Sequence, residues 1–390
     1  MIANEMISGF DIICISTSDW DKPWGSRQQL MTRFSGQNRI LFVGYQASLL
    51  HLFKYPGLFF KIFGRRIRKI NGNITVYRPL LNLPFRYYSK GINRVNQVLL
   101  LLQLRRLAGK LEFSNVILWI FEPTAYMLVG KLRERMSIYH CIDSFKDEKC
   151  FPLRQDCIEK METKLCERCD LIFASSLKLM SEKSDFAEKL HFMPSAVDEE
   201  FFNENIYSRP AVLFKTDKIA APRIGFVGTL DHRIDYDLLD AIARERKEWS
   251  IILLGEQVGC RARRLKRKNI YVLGRRDNKL VPSYISLFDV CILPYKVNNF
   301  TRGISPSKVF EYLSLGKPVV STDLPDLGPL ADSGLLKIAN NGRDFIRYID
   351  SYLGHDSQDV KDSRIRFARL NTWDKRVEHI SEILKEKIDA

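Results

Sequence analysis

The sequence predicts an α/β protein built from two Rossmann-like domains. Short apolar strands alternate with helical segments along the chain, a pattern typical of parallel sheets that are covered on both faces. The pattern stops in a polar, irregular stretch at about 202–220 and restarts at Arg223. A chain of 390 residues is also too long for one compact core and suits two domains.

The first half supplies seven apolar segments of strand length. They are Phe10–Ser16, Arg39–Gly44, Asn73–Arg78, Val116–Ile120, Ser137–Asp143, Asp170–Ala174 and His191–Pro194. Helical periodicity predicts helices at about 27–34, 90–109 and 152–168. We therefore predict an N-terminal domain over residues 1–205.

The second half repeats this alternation. Its predicted strands are Arg223–Gly228, Trp249–Leu254, Ile270–Leu273, Val290–Leu293 and Pro318–Ser321. A helix is predicted at about 235–246, and the second domain at 206–370. Trp373, Val377 and Ile380 then follow at helical spacing, so residues 371–390 are predicted to form a closing helix.

The formal net charge of +15 indicates an anionic partner, such as phospholipid, nucleic acid or a phosphorylated substrate. No apolar run is long enough to span a bilayer, so we expect a cytoplasmic protein that is peripheral on the inner face of the plasma membrane. The stretch 51–70 interleaves cations with apolar side chains, which favours an interfacial segment on anionic lipid over a solvated helix. The predicted membrane residues are Lys54, Phe59, Phe60, Lys61, Phe63, Arg65 and Arg66.

A polar loop, a short helix, a Gly and a buried strand follow one another in Ser305–Thr322. The first-turn amides of a helix favour an anion, and here Ser305 or Ser307 can cap the helix while Lys308 adds a positive charge. Glu311 lies one turn further along, on the face of Lys308. Cations for a phosphate, with a carboxylate for sugar hydroxyls, are what a nucleotide-sugar site requires. The alternative is an ordinary amphipathic helix followed by a core strand.

Glu311, in register with the turn Gly316-Lys-Pro-Val-Val320, resembles the donor-binding signature of GT-B glycosyltransferases, in particular family 4. In the first half, Ser18–Trp24 and Tyr139–Asp143 resemble a bacterial polysaccharide subgroup that is related to a teichuronic acid transferase. The resemblance implies two domains that face across a cleft, with the helix at 371–390 crossing back to the first. Many family members have a further Glu where this chain has Gly303.

The resemblance also implies the donor residues. The loop after the strand at 223–228 would face the diphosphate, with Arg233 as its cation, and Tyr295 would line the donor pocket. The predicted donor-binding residues are Gly228, Thr229, Arg233, Tyr295, Arg302, Ser305, Ser307, Lys308, Val309 and Glu311.

The loop after the first strand would lie near the acceptor. The predicted acceptor-side residues are Asp19, Trp20, Asp21, Arg27 and Gln28. Asp19 and Asp21 also form an Asp-x-Asp pair, which in another glycosyltransferase fold holds a metal. Asp143 ends a strand and is the candidate general base or charge stabiliser, unless it caps the following segment.

Two further catalytic candidates accompany Asp143, namely Glu122 and His140. The resemblance implies a glycosyltransferase of hexosyltransferase type that needs no cofactor and no bound metal. It would move a sugar from a nucleotide-diphosphate donor to a lipid-linked or glycan acceptor in bacterial surface polysaccharide synthesis (capsule, exopolysaccharide or O-antigen). Its partners would be the donor, the acceptor and an anionic membrane surface, with no nucleic acid. The alternatives are a nucleotide-sugar epimerase of the same fold, or a basic nucleic-acid-binding or scaffold protein.

Overall fold

A computed structural model describes residues 6–22, 24–50, 66–147, 155–203, 219–259 and 265–389. The chain divides into two compact units. Unit 1 comprises residues 1–194 and 376–390, and unit 2 comprises residues 195–375. The sequence predicts the ends of the first and second domains at residues 205 and 370. Of the predicted membrane residues, only Arg66 lies among the described residues.

The described part of unit 1 contains an eight-stranded sheet in the order β3-β4-β2-β1-β5-β6-β7-β8. Its strands are β1 (Asp11–Ile15), β2 (Arg39–Val43), β3 (Ile67–Lys69), β4 (Ile74–Tyr77), β5 (Val116–Ile120), β6 (Glu134–Cys141), β7 (Leu171–Ala174) and β8 (Leu190–Phe192). β3 pairs antiparallel with β4, and the other neighbours are parallel. Its helices are α1 (Ser26–Phe34), α2 (Lys90–Lys110), α3 (Gln155–Arg168) and α4 (Leu177–Glu182).

β3 corrects the expectation of one interfacial segment over 51–70. Ile67, Arg68 and Lys69 are all exposed, yet their backbone pairs with Thr75, Val76 and Tyr77 and forms the sheet edge. An exposed, basic edge strand carries no apolar alternation, so sequence periodicity does not reveal it.

The described part of unit 2 contains a six-stranded sheet, parallel throughout, in the order β11-β10-β9-β12-β13-β14. The strands are β9 (Arg223–Val227), β10 (Ser250–Leu254), β11 (Ile270–Gly274), β12 (Val290–Leu293), β13 (Val319–Thr322) and β14 (Lys337–Ala339). The helices are α5 (Tyr236–Glu245), α6 (Val281–Ser286), α7 (Ser307–Ser314), α8 (Gly328–Asp332), α9 (Gly342–Gly354) and α10 (Gln358–Arg369).

Both sheets reverse their strand order at one point, between β1 and β5 and between β9 and β12. This is the doubly wound order, in which ligands bind beside the carboxyl ends of the strands at the reversal. The loops that follow these four strands therefore position the candidate residues of each unit.

A final helix, α11 (Trp373–Asp389), starts in unit 2 and continues into unit 1. Within unit 1, Val377, Ile380 and Leu384 are at most 1% exposed. Arg376 also donates from Nε to the carbonyl of Pro194 at 3.1 Å. The last helix is therefore part of the core of the unit that begins the chain.

Candidate functional site

In unit 2, the loop after β9 is fixed by its own backbone. The amide of Gly228 donates to the carbonyl of Leu254 at 2.9 Å, and the amide of Leu230 donates to that of Glu256 at 2.8 Å. A Cβ on Gly255 would lie 1.8 Å from the carbonyl oxygen of Gly228. Glycine at position 255 therefore lets the two loops after β9 and β10 approach backbone to backbone.

Gly255→Ala is expected to destabilise the protein by about 1–3 kcal/mol, because the added methyl group must push the Gly228 carbonyl aside. The same displacement should also shift the predicted donor-binding loop that contains Gly228 and Thr229. Urea unfolding would measure the first effect. Gly354→Ala is the matched control, since a Cβ there meets no atom within 4 Å; equal stability of the two variants would contradict the close approach.

Arg233, the predicted cation for the diphosphate, is paired with Asp231. Its Nε lies 3.0 and 2.9 Å from the two carboxylate oxygens, and its Nη2 lies 2.7 Å from Oδ2. The pair lies one loop turn beyond Gly228 and is partly exposed. A bidentate pair of this kind holds the guanidinium in one orientation.

Tyr295 follows β12 and is 7% exposed. Its ring packs edge-on against Phe226 at 6.2 Å between centroids. Burial raises the pKa of the Tyr295 hydroxyl, and the charges of Arg233, Asp231 and Glu311 act on it. These three charged groups therefore act on the same buried hydroxyl, although the Tyr295 side chain itself is largely a core element.

Helix α7 is hydrogen-bonded to the end of β9. The amide of Val227, the last residue of β9, donates to the hydroxyl of Tyr312 at 2.8 Å. Pro306 occupies the N-cap position, and none of the described side chains caps the helix. The prediction that Ser305 or Ser307 caps α7 is therefore wrong: Ser305 Oγ accepts from the amide of Ser195 at 3.2 Å instead, and Ser307 is the first helical residue. The uncapped first turn leaves its N-terminal dipole available for an anion.

Lys308 and Glu311 form an ion pair on one face of α7, with Nζ 2.7 Å from Oε1. The two side chains are 27% and 13% exposed. Oε2 of Glu311 is buried, and among the described residues it has no hydrogen-bond partner. A buried carboxylate oxygen without a donor is costly, so this atom is suited to accept a hydroxyl from a ligand.

The two remaining donor candidates differ in placement. The Val309 side chain is 1% exposed and packs in the core, so only its backbone, in the first turn of α7, could contact a ligand. Arg302 is exposed in a short turn at Thr301–Gly303.

In unit 1, the loop after β1 packs against β2 and the residue Gly44 that follows it. Trp20 is 6% exposed and packs edge-on against Phe42 at 5.0 Å. Burial raises the pKa of Asp19, whose carboxylate fits against Gly44: a Cβ there would lie 2.8 Å from its Oδ1. Asp21 instead pairs with Arg68 at 2.6 Å on the surface. Among the described residues, no group of three or more His, Cys, Asp or Glu side chains is placed to hold a metal ion.

Gln28 and Arg27 are in the first turn of α1. Gln28 is fully buried, accepts from the amide of Gly25 at 3.2 Å and donates to the carbonyl of Asp19 at 3.3 Å, so it fixes the loop. The Arg27 guanidinium lies over the ring of Phe121 at 5.6 Å. Burial lowers the pKa of Arg27, while the charges of Asp143, Cys14 and Glu122 oppose that shift.

Arg27 Nε is buried without a hydrogen-bond partner among the described residues. Asp143 is half-buried just after β6. The charge of Asp143 acts on the buried Arg27 guanidinium, so the two groups belong to the same region of unit 1.

Glu122, after β5, is held on both oxygens. Arg86 Nη2 lies 3.1 Å and the Tyr87 hydroxyl 3.2 Å from Oε2, while Thr124 Oγ1 lies 3.1 Å from Oε1. Arg86 is 6% exposed and its guanidinium lies over Tyr87 and Tyr45. Sequence reasoning missed Arg86 and Tyr87, since neither lies in a recognisable motif.

His140 is 1% exposed and stacks on Phe121, with 5.0 Å between ring centroids. Burial, together with the charge of Arg27, lowers the pKa of His140 to about 3. The imidazole is therefore neutral at pH 7 and lies within an aromatic stack.

A neutral, buried His140 predicts acid sensitivity. The unfolded chain binds a proton near pH 6.5 and the folded one only near pH 3, so stability from this group is lost as the pH falls between these values. At about pH 4.5 the loss should be roughly 2–3 kcal/mol. His140→Phe keeps the ring packing and removes the titration, so the difference in unfolding free energy between wild type and variant should vary with pH. A constant difference from pH 7 to pH 4.5 would contradict this placement.

Residues 221–355, within unit 2, match the family model described as glycosyl transferases group 1. This region of unit 2 is similar to a group 1 glycosyltransferase domain, and it contains all ten predicted donor residues, from Gly228 to Glu311.

The fold resembles solved structures over almost its whole length. Sucrose-phosphate synthase from Thermosynechococcus elongatus has a TM-score of 0.72 at 12% identity, covering 97% of this chain and 99% of that chain. Anabaena HepE, in complex with UDP-glucose, has a TM-score of 0.67 at 14% identity, covering 97% and 100%. These likenesses confirm the predicted GT-B fold class.

Two relatives are similar in sequence. A Bacillus subtilis (strain 168) protein named "Putative teichuronic acid biosynthesis glycosyltransferase TuaH" is 26% identical over 274 residues, 66% of this chain and 68% of that protein. A Klebsiella pneumoniae protein named "Uncharacterized 41.2 kDa protein in cps region" is 23% identical over 256 residues, 63% and 68% of the two chains. These matches and the group 1 domain confirm the predicted resemblance.

Proposed function

We propose that the protein transfers a sugar from a nucleotide-diphosphate donor to a lipid-linked or glycan acceptor during bacterial surface polysaccharide synthesis. The Lys308–Glu311 pair at the uncapped start of α7 carries the proposal. It joins a cation, the first-turn amides of a helix and a buried acceptor oxygen at the carboxyl end of a doubly wound sheet. The relatives' names, with teichuronic acid and a cps region, support the polysaccharide setting.

On the donor side, the amides of the first turn of α7 and Lys308 would bind the diphosphate and stabilise its charge as it leaves. Glu311 Oε2 would accept a ribose or sugar hydroxyl. Arg233 would supply a second cation beside the Gly228 loop, after exchanging part of its pairing with Asp231 for phosphate. These protein cations and amides would stabilise the leaving group without a bound metal or other cofactor.

On the acceptor side, Asp143 would accept the proton of the attacking hydroxyl or stabilise positive charge on the sugar. Arg27 would orient that carboxylate. Asp19 and Trp20 would border the acceptor. Glu122 and His140 would support the site through packing, because Glu122 is held on both oxygens and His140 is buried in the aromatic stack.

The proposed location is the cytoplasmic face of the plasma membrane, as a peripheral protein, where a lipid-linked acceptor is accessible. No helix in the described ranges has the length and apolar character needed to cross a bilayer.

A thermal-shift titration tests the donor. UDP-glucose is the first ligand to try, since HepE is solved with it, followed by GDP-, ADP- and dTDP-sugars, all with EDTA present. We expect one nucleotide family to raise the melting temperature with dose, because a ligand that binds the folded state stabilises it by mass action. No shift with any of these donors, far above typical affinities, would contradict the proposal.

A further inference from the structure

Helix α2 has its side chains arranged in an unusual way. Its buried face includes three amides, Asn93, Asn96 and Gln97. Its outer face carries Val95, Val98, Leu99 and Leu102, which are 43–57% exposed. Their spacing of three and four residues places them in one stripe along the helix. The buried face also carries Leu100, Leu101, Leu104 and Leu107, so α2 is apolar on both faces, whereas a helix that only covers a core would present a polar outer face.

The stripe extends into the segment before the helix. Asn96 exchanges two hydrogen bonds with the backbone of Leu83, at 2.8 and 3.1 Å, and Gln103 accepts from the amide of Leu80 at 3.0 Å. These contacts hold the segment alongside α2. Leu80 and Leu83 are each 39% exposed. The aliphatic surface is therefore continuous across the two elements, and the stripe of α2 with Leu80 and Leu83 is called the outer patch below.

Phe85 adds an aromatic ring beside the outer patch. It is 57% exposed, and its φ of +65° is a conformation that a bulky residue rarely adopts. The surrounding turn maintains this backbone conformation and leaves the ring in solvent. A strained residue that presents an apolar ring outward is typical of a functional contact rather than of a folding requirement.

The charge around the outer patch has one sign. Residues 22–111 contain 17 Lys or Arg and neither Asp nor Glu, whereas the remainder of the chain contains 44 Lys or Arg and 46 Asp or Glu. The whole positive excess of the protein therefore belongs to this 90-residue stretch. Arg94, Arg105 and Arg106 are exposed on α2 itself.

We infer that the outer patch docks unit 1 onto an anionic lipid bilayer. Exposed aliphatic side chains would enter the interface, and the cations along α2 would contact lipid phosphates. Self-association through the outer patch is disfavoured, because it would bring the cations of two copies together and residues 22–111 contain no acid to offset them. A single-stranded nucleic acid would require a row of exposed aromatic platforms, whereas the stripe consists of Val and Leu.

The inference deepens the proposed function, on which it rests for a lipid-linked acceptor. It assigns the membrane contact to α2 and the segment before it, beyond the predicted residues 54–66. Donor binding takes place in unit 2, so vesicle binding and donor binding can fail independently.

Co-sedimentation with vesicles tests it. The wild type should bind vesicles of phosphatidylcholine mixed with phosphatidylglycerol at least about 10-fold more strongly than vesicles of phosphatidylcholine alone, and added salt should reduce the difference. Val98→Gln, Leu99→Gln and Leu102→Gln combined should lower binding at least about 10-fold, since Gln keeps helix propensity but removes the inserted surface.

The matched control replaces three exposed apolar residues elsewhere, Leu177→Gln, Phe192→Gln and Leu370→Gln, and should bind vesicles like the wild type. A second variant, Arg94→Glu with Arg106→Glu, should abolish the preference for anionic vesicles. All variants should keep the far-UV circular dichroism spectrum and the cooperative urea unfolding of the wild type, which shows that unit 1 folds; they should also keep the thermal shift with the nucleotide-sugar, which shows that unit 2 does.

Three outcomes would overturn the assignment. The first is a wild type that shifts with the donor yet ignores anionic vesicles, which leaves the proposed function intact. The second is a triple Gln variant that binds vesicles as the wild type does. The third is binding to a labelled RNA oligonucleotide, or self-association, that the triple variant loses while vesicle binding is absent.

Discussion

Lys308→Ala is expected to weaken nucleotide-sugar binding by roughly 10- to 100-fold, which corresponds to the loss of a hydrogen bond to a charged group. Two effects act in the same direction. The diphosphate loses a cation, and Glu311, whose Oε1 lies 2.7 Å from Lys308 Nζ, is left as an uncompensated carboxylate beside the phosphate. Isothermal titration with the donor identified by thermal shift would measure the change.

Lys308→Arg and Lys279→Ala complete this experiment. Lys308→Arg retains the charge and should recover much of the affinity, although its wider head group fits a point contact less well. Lys279 is exposed elsewhere in unit 2, so its removal lowers the net charge equally without touching α7. If Lys308→Ala and Lys279→Ala bind the donor as tightly as the wild type, Lys308 is not part of the donor site.

Glu122→Ala is expected to destabilise the protein by about 3–5 kcal/mol, because it leaves the buried Arg86 guanidinium without its counter-charge. Both side chains of this pair are at most 7% exposed. The thermal unfolding midpoint and the urea midpoint should therefore fall together. A catalytic carboxylate would show the reverse pattern, with activity lost and stability nearly unchanged.

Two further variants test whether Glu122 stabilises the protein through its ion pair with Arg86. They are Arg86→Met alone and Arg86→Met combined with Glu122→Leu. The single Arg86→Met variant should be as destabilised as Glu122→Ala, because each leaves one buried charge unpaired. The double variant should recover a large part of the loss, since no unpaired charge remains. Additive losses in the double variant would show that the two side chains stabilise the unit separately.

The sheets were predictable because their central strands are buried on both faces and read as apolar runs. Val116–Ile120 was placed to the residue, and so were the starts of β2, β9, β11 and β12. β3 and β14 were not predicted. Each has three residues, and β3 is exposed along its length, so neither produces a periodic signal.

The candidate site was predictable in its residues more than in its contacts. Lys308 and Glu311 were expected on one face of a helix, and their spacing fixes that geometry. The cap of α7 was predicted incorrectly, because Ser305 is held by Ser195, which lies 110 positions away in the sequence. The partners of Glu122 were not foreseen either, since only the folded sheet brings Arg86 to it.

Because of helix α11, the order in which the two units are synthesised differs from the order in which they can finish folding. The residues that begin the chain form most of unit 1, but that unit also needs Val377, Ile380 and Leu384 in its core. During translation, residues 195–375 can therefore finish their own unit first. The earlier-made sheet must wait, with part of its apolar surface uncovered, until residues 376–390 have been synthesised. A stop codon just before residue 376 would thus damage the unit formed mainly by residues 1–194, which is translated earlier.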